Sequence, residues 1–245
     1  MALDLTQPPF SPLIEQEQTT EVGGIELKWL KKALQRQKTG FKQDKRSINS
    51  LGISVSDTIL EDNICLAYGN KNLLTHLLSV QCVTTIDFCY NLVCNEIQLQ
   101  ANEKKHGKKI KRLNIPSAQV LKIRSSSIGI SAFGIGRSYY HFLAQKGFQT
   151  TLLGEDNLTE SMLRDQIWLA LRTDLRDGNI AINVDDTTTR DKLVLQLITP
   201  KFWLKGERII VESKNDTKKR TGLVTDLGDS VAYWNWMRRG QKAYP

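Results

Sequence analysis

GERIIVESKNDTKKRTGLVTDLGDSVAYW occupies residues 206–234. ERIIVES, with its β-branched run, reads as a short strand. Lys214, Lys218, Lys219 and Arg220 follow as a basic cluster. DLGDSVAYWNWMRR then reads as a final helix, with Asp226 and Asp229 one turn apart at its start. Acids are favoured at a helix N-terminus, where the unpaired N–H groups carry partial positive charge, so a capping role is one reading of both.

Moving towards the N-terminus, TTTRDKLVLQLI (187–198) reads as a helix preceded by a loop and cap at Asp185 and Asp186. NIAIN (179–183) is short and extended. LTESMLRDQIWLALRTDLRDG (158–178) is an amphipathic helix that Thr159 caps and Gly178 stops. FQTTLLG and SSIGIS read as strands, and RSYYHFLAQKG between them as a helix entered through FGIG, a tight strand-to-helix turn. Residues 83–101 show helical spacing at Ile86, Tyr90, Val93 and Ile97. Ahead of them SLGISVS, NICLAYG and LLTHLLSV form three consecutive strands, the last two joined by a hairpin turn at GNKN (69–72).

Three strands, a helix, and then strands alternating with helices predict an α/β domain with a mixed sheet. The boundaries are expected at 50–240, with residues 1–49 as an N-terminal arm. Residues 1–24 are read as loose, with breaks at Pro8, Pro9 and Pro12. IELKWLKKALQRQ (25–37) gathers Ile25, Trp29, Leu30, Ala33 and Leu34 on one side, as a helix feeding the domain.

The chain has 245 residues, a mean hydropathy of −0.34, and no apolar run long enough for a membrane span. Asp4 and the lack of an apolar stretch argue against a secretory signal in its first residues. Cys65, Cys82, Cys89 and Cys94 lie among apolar residues without zinc-ligand spacing, and read as buried thiols in a reducing compartment. His76, His106 and His141 stand apart from any evident nucleophile.

The net charge is +8, and it is unevenly distributed. Lys104, Lys105, Lys108, Lys109, Lys111, Arg112, Lys122 and Arg124 fall within residues 104–124 without one acid. A solvated charge run and a phosphate-binding loop are both open readings; Gly107 and Pro116 favour a projecting loop. Further basic residues run from Lys28 to Arg46.

The opening stretch resembles the end of the nuclease domain in the large terminase subunit of tailed bacteriophages. That family closes with a strand, Glu-Ser-Lys-Asp-Asp-x-Lys-Lys-Arg, and a Ser-Pro-Asp-x-x-Asp-Ala helix start. Glu212, Ser213, Lys214, Asp216, Lys218, Lys219 and Arg220 stand at matching places, as do Asp226 and Asp229. LRDQIWLALRTDLRDGNIAINVDD resembles the family's helix before a Gly-Xaa-Ile strand. SAFGIGRSYYHFLAQKG resembles its strand ending in Asp-x-x-Gly-x-Gly, and LGISVSDTILEDNICLAYGNK its first hairpin. With GIELKWLKKALQRQ, similar to the preceding linker helix, the resemblance covers about residues 25–240.

The resemblance implies a ribonuclease H-like fold in which carboxylates from the first strand, the fourth strand and the last helix hold two divalent ions, magnesium or manganese, that cut duplex DNA. Two of those positions depart from the pattern: Ser54 stands at the first-strand acid and Ser131 at the fourth-strand acid. Asp229, with Asp226 beside it, keeps the third, so the implied catalytic set is Asp226 and Asp229 with Asp229 as the remaining metal ligand. Asp57, Glu61 and Asp62 are near in sequence, but an odd offset from Ser54 points to the other face of a strand. Weakened or lost cleavage is the expectation.

The implied partner is double-stranded DNA, bound through Lys104, Lys105, Lys108, Lys109, Lys111 and Arg112 and through Lys214, Lys218, Lys219 and Arg220. The sequence contains no G-x-x-x-x-G-K-[ST]. A separate packaging ATPase, with a portal or small terminase subunit, is therefore expected in the cytoplasm of a bacterial host, unless the chain is a remnant. A non-catalytic DNA-binding or packaging-assembly module is the alternative.

Overall fold

Two tetrapeptides of nearly the same sequence, LGIS (51–54) and IGIS (128–131), lie side by side at the centre of the computed structural model. The structure describes residues 19–39, 50–55, 63–81, 128–132, 136–145, 150–153 and 160–240. LGIS belongs to strand β2 (Ser50–Val55) and IGIS to β5 (Ile128–Ser131). They pair in parallel, with Leu51 opposite Ile128, Gly52 opposite Gly129 and Ile53 opposite Ile130. Alternate residues of a strand face opposite sides. Leu51, Ile53, Val55, Ile128 and Ile130 therefore form one apolar layer, covered by Tyr139 and Leu143 of helix α2 (Gly136–Gln145).

The other face carries Gly52 and Gly129, and against it packs the last helix, α6 (Asp226–Arg238). A Cβ on Gly52 would stand 2.1 Å from the Ser230 carbonyl oxygen and 2.3 Å from the Trp234 nitrogen, so the helix backbone lies directly on the strand. Only glycine permits that approach. At Gly129 the neighbour is the flexible Met237 side chain, 2.6 Å from the same position.

The full sheet has the order β6 (Thr150–Leu153), β5, β2, β3 (Asn63–Asn70), β4 (Leu73–Gln81) and β7 (Ala181–Ile182). β3 and β4 make an antiparallel hairpin beside β2, its turn at Lys71 and Asn72 where the GNKN signal predicts it. β6 and β7 pair in parallel with β5 and β4. This is the expected mixed sheet flanked by helices.

The larger core lies on the α6 side of the sheet. Helix α3 (Glu160–Asp177) contributes Leu163, Ile167, Trp168, Leu171 and Leu175, and α4 (Thr187–Ile198) contributes Leu193 and Leu197. As read from sequence, Asp186 caps α4, accepting a 2.7 Å hydrogen bond from the Thr189 N–H. Helix α1 (Leu27–Thr39) buries Trp29, Leu30 and Ala33 in this same core, and Arg36 donates to the Ile180 carbonyl at 3.0 Å.

A second, three-stranded antiparallel sheet has the order β1-β8-β9, from β1 (Thr19–Val22), β8 (Phe202–Lys205) and β9 (Arg208–Val211). The reading of residues 1–24 as loose is thus corrected for Thr19–Val22. TTEV has no apolar alternation; its partner strand β8 holds it, with Glu21 bound to Lys201 at 2.7 Å. Between β9 and α6 the basic cluster forms helix α5 (Lys214–Thr221), capped by Ser213 and stopped by Gly222 in the left-handed conformation. The helix expected at 83–101, the 104–124 basic loop, Asp57, Glu61, Asp62 and three of the four cysteines lie outside the described residues.

Candidate functional site

The register that seats α6 on Gly52 also decides what stands around its first turn. Ser54 follows Gly52 by two residues and Ser131 follows Gly129 by two, so both serines point to the α6 side. Ser54 Oγ donates to Asp226 Oδ1 at 3.4 Å. Ser131 is hydrogen-bonded to Tyr233, one turn beyond Asp229 on α6. Ser54, Ser131, Asp226 and Asp229 are all buried at the same end of the sheet.

Asp226 and Asp229 do not act as helix caps. Thr225 is the N-cap residue, and its hydroxyl donates to Asp229 Oδ2 at 2.9 Å. Asp229 is 1% exposed. Its Oδ1 accepts from Arg164 Nη1 at 2.5 Å and from the Trp168 indole N–H at 3.0 Å, both on α3. The Arg164 guanidinium also lies 5.2 Å from the centre of the Trp168 ring, a cation–π distance. Asp226 is 2% exposed and pairs with the Lys214 ammonium at the first residue of α5. Asp226 Oδ2 is the carboxylate oxygen of this pair without a hydrogen-bond partner among the described residues.

The environments drive the two acids apart. Burial is the largest influence on Asp229 and raises its pKa, but Arg164, Lys214 and the donated hydrogen bonds together hold the carboxyl below its ordinary value. Burial is also the largest influence on Asp226, and the neighbouring Asp229 charge adds to it. Lys214 and Ser54 offset only part, so this carboxyl lies above its ordinary value. Burial alone would discharge Lys214, yet Asp226 and Asp229 keep its pKa raised. Tyr233 is pushed up to about 12 by burial and then by Asp229.

These residues do not fit a two-metal centre. Magnesium and manganese take hard, mostly anionic oxygen ligands. Among the described residues, no group of three or more His, Cys, Asp or Glu side chains is placed to hold a metal ion. Ser54 and Ser131 offer only neutral hydroxyls, and three of the four oxygens on Asp226 and Asp229 are already engaged by protein donors. A divalent ion about 4 Å from the Lys214 ammonium would meet a repulsion of about 8 kcal/mol at an effective dielectric of about 20.

The other basic residues divide in two. Arg220 is exposed and bound to Glu212, with Nε 2.7 Å from Oε1, so its charge, like that of Lys214, has an acid partner within the chain. Lys219 is exposed and Lys218 half-buried on α5. Cys65, beside Ser54 on β3, is a buried free thiol pushed up to about 12 by burial. Trp234 and Trp236 are buried in the core, consistent with packing. Arg164, Trp168, Thr225 and Tyr233 had no sequence signal of a site. Thr225 lies one turn before Asp229, but nothing local pairs Arg164 with an acid 65 positions on.

No family model matches this chain, and no curated protein matches it in sequence. Solved structures do match in shape. The nuclease domain of the large terminase subunit gp2 of bacterial virus Sf6 superposes with a TM-score of 0.61 at 13% identity, over 87% of this chain and 98% of that one. A point mutant of that domain with manganese and beta-thujaplicinol gives 0.61 at 12% identity, over 87% and 98%. One with calcium gives 0.59 at 12%, over 87% and 99%. With so little identity it is the backbone path that is shared: this chain has the α/β fold of the nuclease domain of a phage large terminase subunit.

Proposed function

We propose that this protein is a terminase-type module of a phage DNA-packaging apparatus that binds duplex DNA and has weakened or lost cleavage. One observation carries the reading: at the site where the fold would gather acids, Ser54 and Ser131 sit beside Asp226 and Asp229, and Lys214 and Arg164 neutralise those two carboxylates. Buried serines donate hydrogen bonds there but supply no negative charge to grip magnesium or manganese. What survives is the scaffold, in a chain whose sequence carries a dense run of cations. The eight cations of residues 104–124 are the first candidates for phosphate contact, with Lys218 and Lys219 on α5 second. A separate packaging ATPase, with a portal or small terminase subunit, would complete the apparatus in the cytoplasm of the host cell.

The internal balance of charge favours the limiting form of this reading, a non-catalytic DNA-binding or packaging-assembly module. The test is incubation of linear and supercoiled DNA with magnesium or manganese, alongside gel retardation over a salt series. Retardation that weakens steeply with salt, with no metal-dependent cutting, is expected. Robust metal-dependent cutting abolished by Asp229→Ala would overturn the reading.

A further inference from the structure

We propose that Lys214 and Arg164 act as built-in cations that take the electrostatic place of divalent ions, so that the folded site is complete without metal. The inference rests on the reading above and gives it a physical cause.

The charges match one to one. Asp226 and Asp229 occupy the first turn of α6, and each has its own cation from a different helix: Lys214 at the start of α5, Arg164 in α3. Both cations are held. Lys214 follows the Ser213 cap, whose Oγ accepts from the Asp216 N–H at 3.1 Å. Arg164 lies over the Trp168 ring and donates through Nε to the Glu212 carbonyl at 3.4 Å. Its side chain is 14% exposed and that of Lys214 is 27% exposed, so water does little to replace the pairing. Ser54 and Ser131 add hydrogen bonds without adding charge, which leaves the four ionised groups in balance. With acids at those two positions, the same cations would leave a surplus of negative charge. The two serines and the two cations therefore form one consistent arrangement.

The test uses the full chain and two measurements that do not depend on cleavage. Manganese uptake is followed by the electron paramagnetic resonance signal of the free ion, and Tm is measured in EDTA and in millimolar manganese. The native chain is expected to leave the manganese signal unchanged and to melt at the same temperature in both. Lys214→Met is expected to lower Tm by roughly 10 °C, because it leaves Asp226 buried and unpaired. Adding Asp226→Asn to Lys214→Met is expected to recover most of that loss. If Lys214→Met does not fold, Lys214→Gln takes its place in the cycle; if neither folds, recovery of folding by the added Asp226→Asn is the supporting result, and its failure the opposing one. Saturable manganese uptake by the native chain that Asp229→Ala removes would overturn the proposal, as would a Lys214→Met chain with unchanged Tm. Uptake without DNA cutting defeats this inference alone, whereas metal-dependent cutting defeats the functional reading with it.

Discussion

Helices α3 and α6 meet in two ion-pair clusters, one at each end of α6, with the signs exchanged. At the N-terminal end α6 supplies the acid, Asp229, and α3 the cation, Arg164. At the C-terminal end α3 supplies the acid, Asp174, and α6 the cation, Arg238. For α6 both choices follow the helix dipole, with acids in the first turn and Arg238 in the last. The acids of the two clusters differ in how fully they are hydrogen-bonded. Asp174 Oδ1 accepts from Asn179 at 3.1 Å, and Oδ2 from Asn235 at 3.0 Å and Arg238 at 2.6 Å. Neutral amides finish the shell, as in a group kept for stability. At the other end two carboxylates crowd together and Asp226 Oδ2 has no hydrogen-bond partner among the described residues, whereas both oxygens of Asp174 accept hydrogen bonds and a second cation, Arg239, lies 3.7 Å from its Oδ2. The first turn of α6 thus brings two buried acids within reach of two cations, a closer crowding of charge than at Asp174.

The difference can be broken at the seat of the helix. Gly52→Ala drives a methyl group into the backbone of α6 at Ser230 and Trp234, where nothing can rotate away. A loss of about 4 kcal/mol or more is expected in chemical denaturation. Gly129→Ala meets only side-chain atoms, of Met237 and Leu153, and is expected to cost about 1 kcal/mol. Equal costs would show that α6 does not rest harder on β2 than on β5.

Removing the acids compares the clusters directly. Asp229→Ala leaves Arg164 buried without its carboxylate and is expected to cost about 3–5 kcal/mol. Asp174→Asn keeps the shape and part of the hydrogen bonding, and about 2 kcal/mol is expected from lost charge assistance to Arg238. Urea unfolding of the two variants checks the order.

The smallest effect is a pH dependence at Glu212, outside both clusters. The hydrogen bonds from Arg220 hold this carboxyl below its ordinary value; burial opposes them, and the Lys201 N–H adds to them. A carboxyl lowered on folding contributes stability above its unfolded pKa, about 4.3, and loses it as pH falls through the folded value. The Tm difference between the native chain and Glu212→Gln should therefore be full at neutral pH and close in acid. A difference that widened in acid would contradict the pairing.

Local chemistry made much of the fold legible. The apolar spacing of IWLAL in α3, the Asp186 cap of α4 and the GNKN turn each carry their own signal, because helix periodicity and turn geometry are set within a few residues. β1 escaped, since TTEV becomes a strand only when β8 offers it a ladder. The candidate site was legible in one respect: Ser54, Ser131, Asp226 and Asp229 could be singled out by their places in a motif. Their partners could not. Lys214 and Arg220 read from sequence as cations for DNA, and the structure sets them against Asp226 and Glu212.

The sequence by itself determined most of the strands and helices, though not β1, β8 or α5, together with the concentration of positive charge and the presence of serine at Ser54 and Ser131, since each is a property of neighbours along the chain. Only the tertiary structure decided that Gly52 brings α6 onto the sheet, that Arg164 reaches Asp229, and that Lys214 turns inward to Asp226. Those are contacts between segments 12 to 182 residues apart, and charge pairing acts through space, so its sign can be read from composition but its partner cannot.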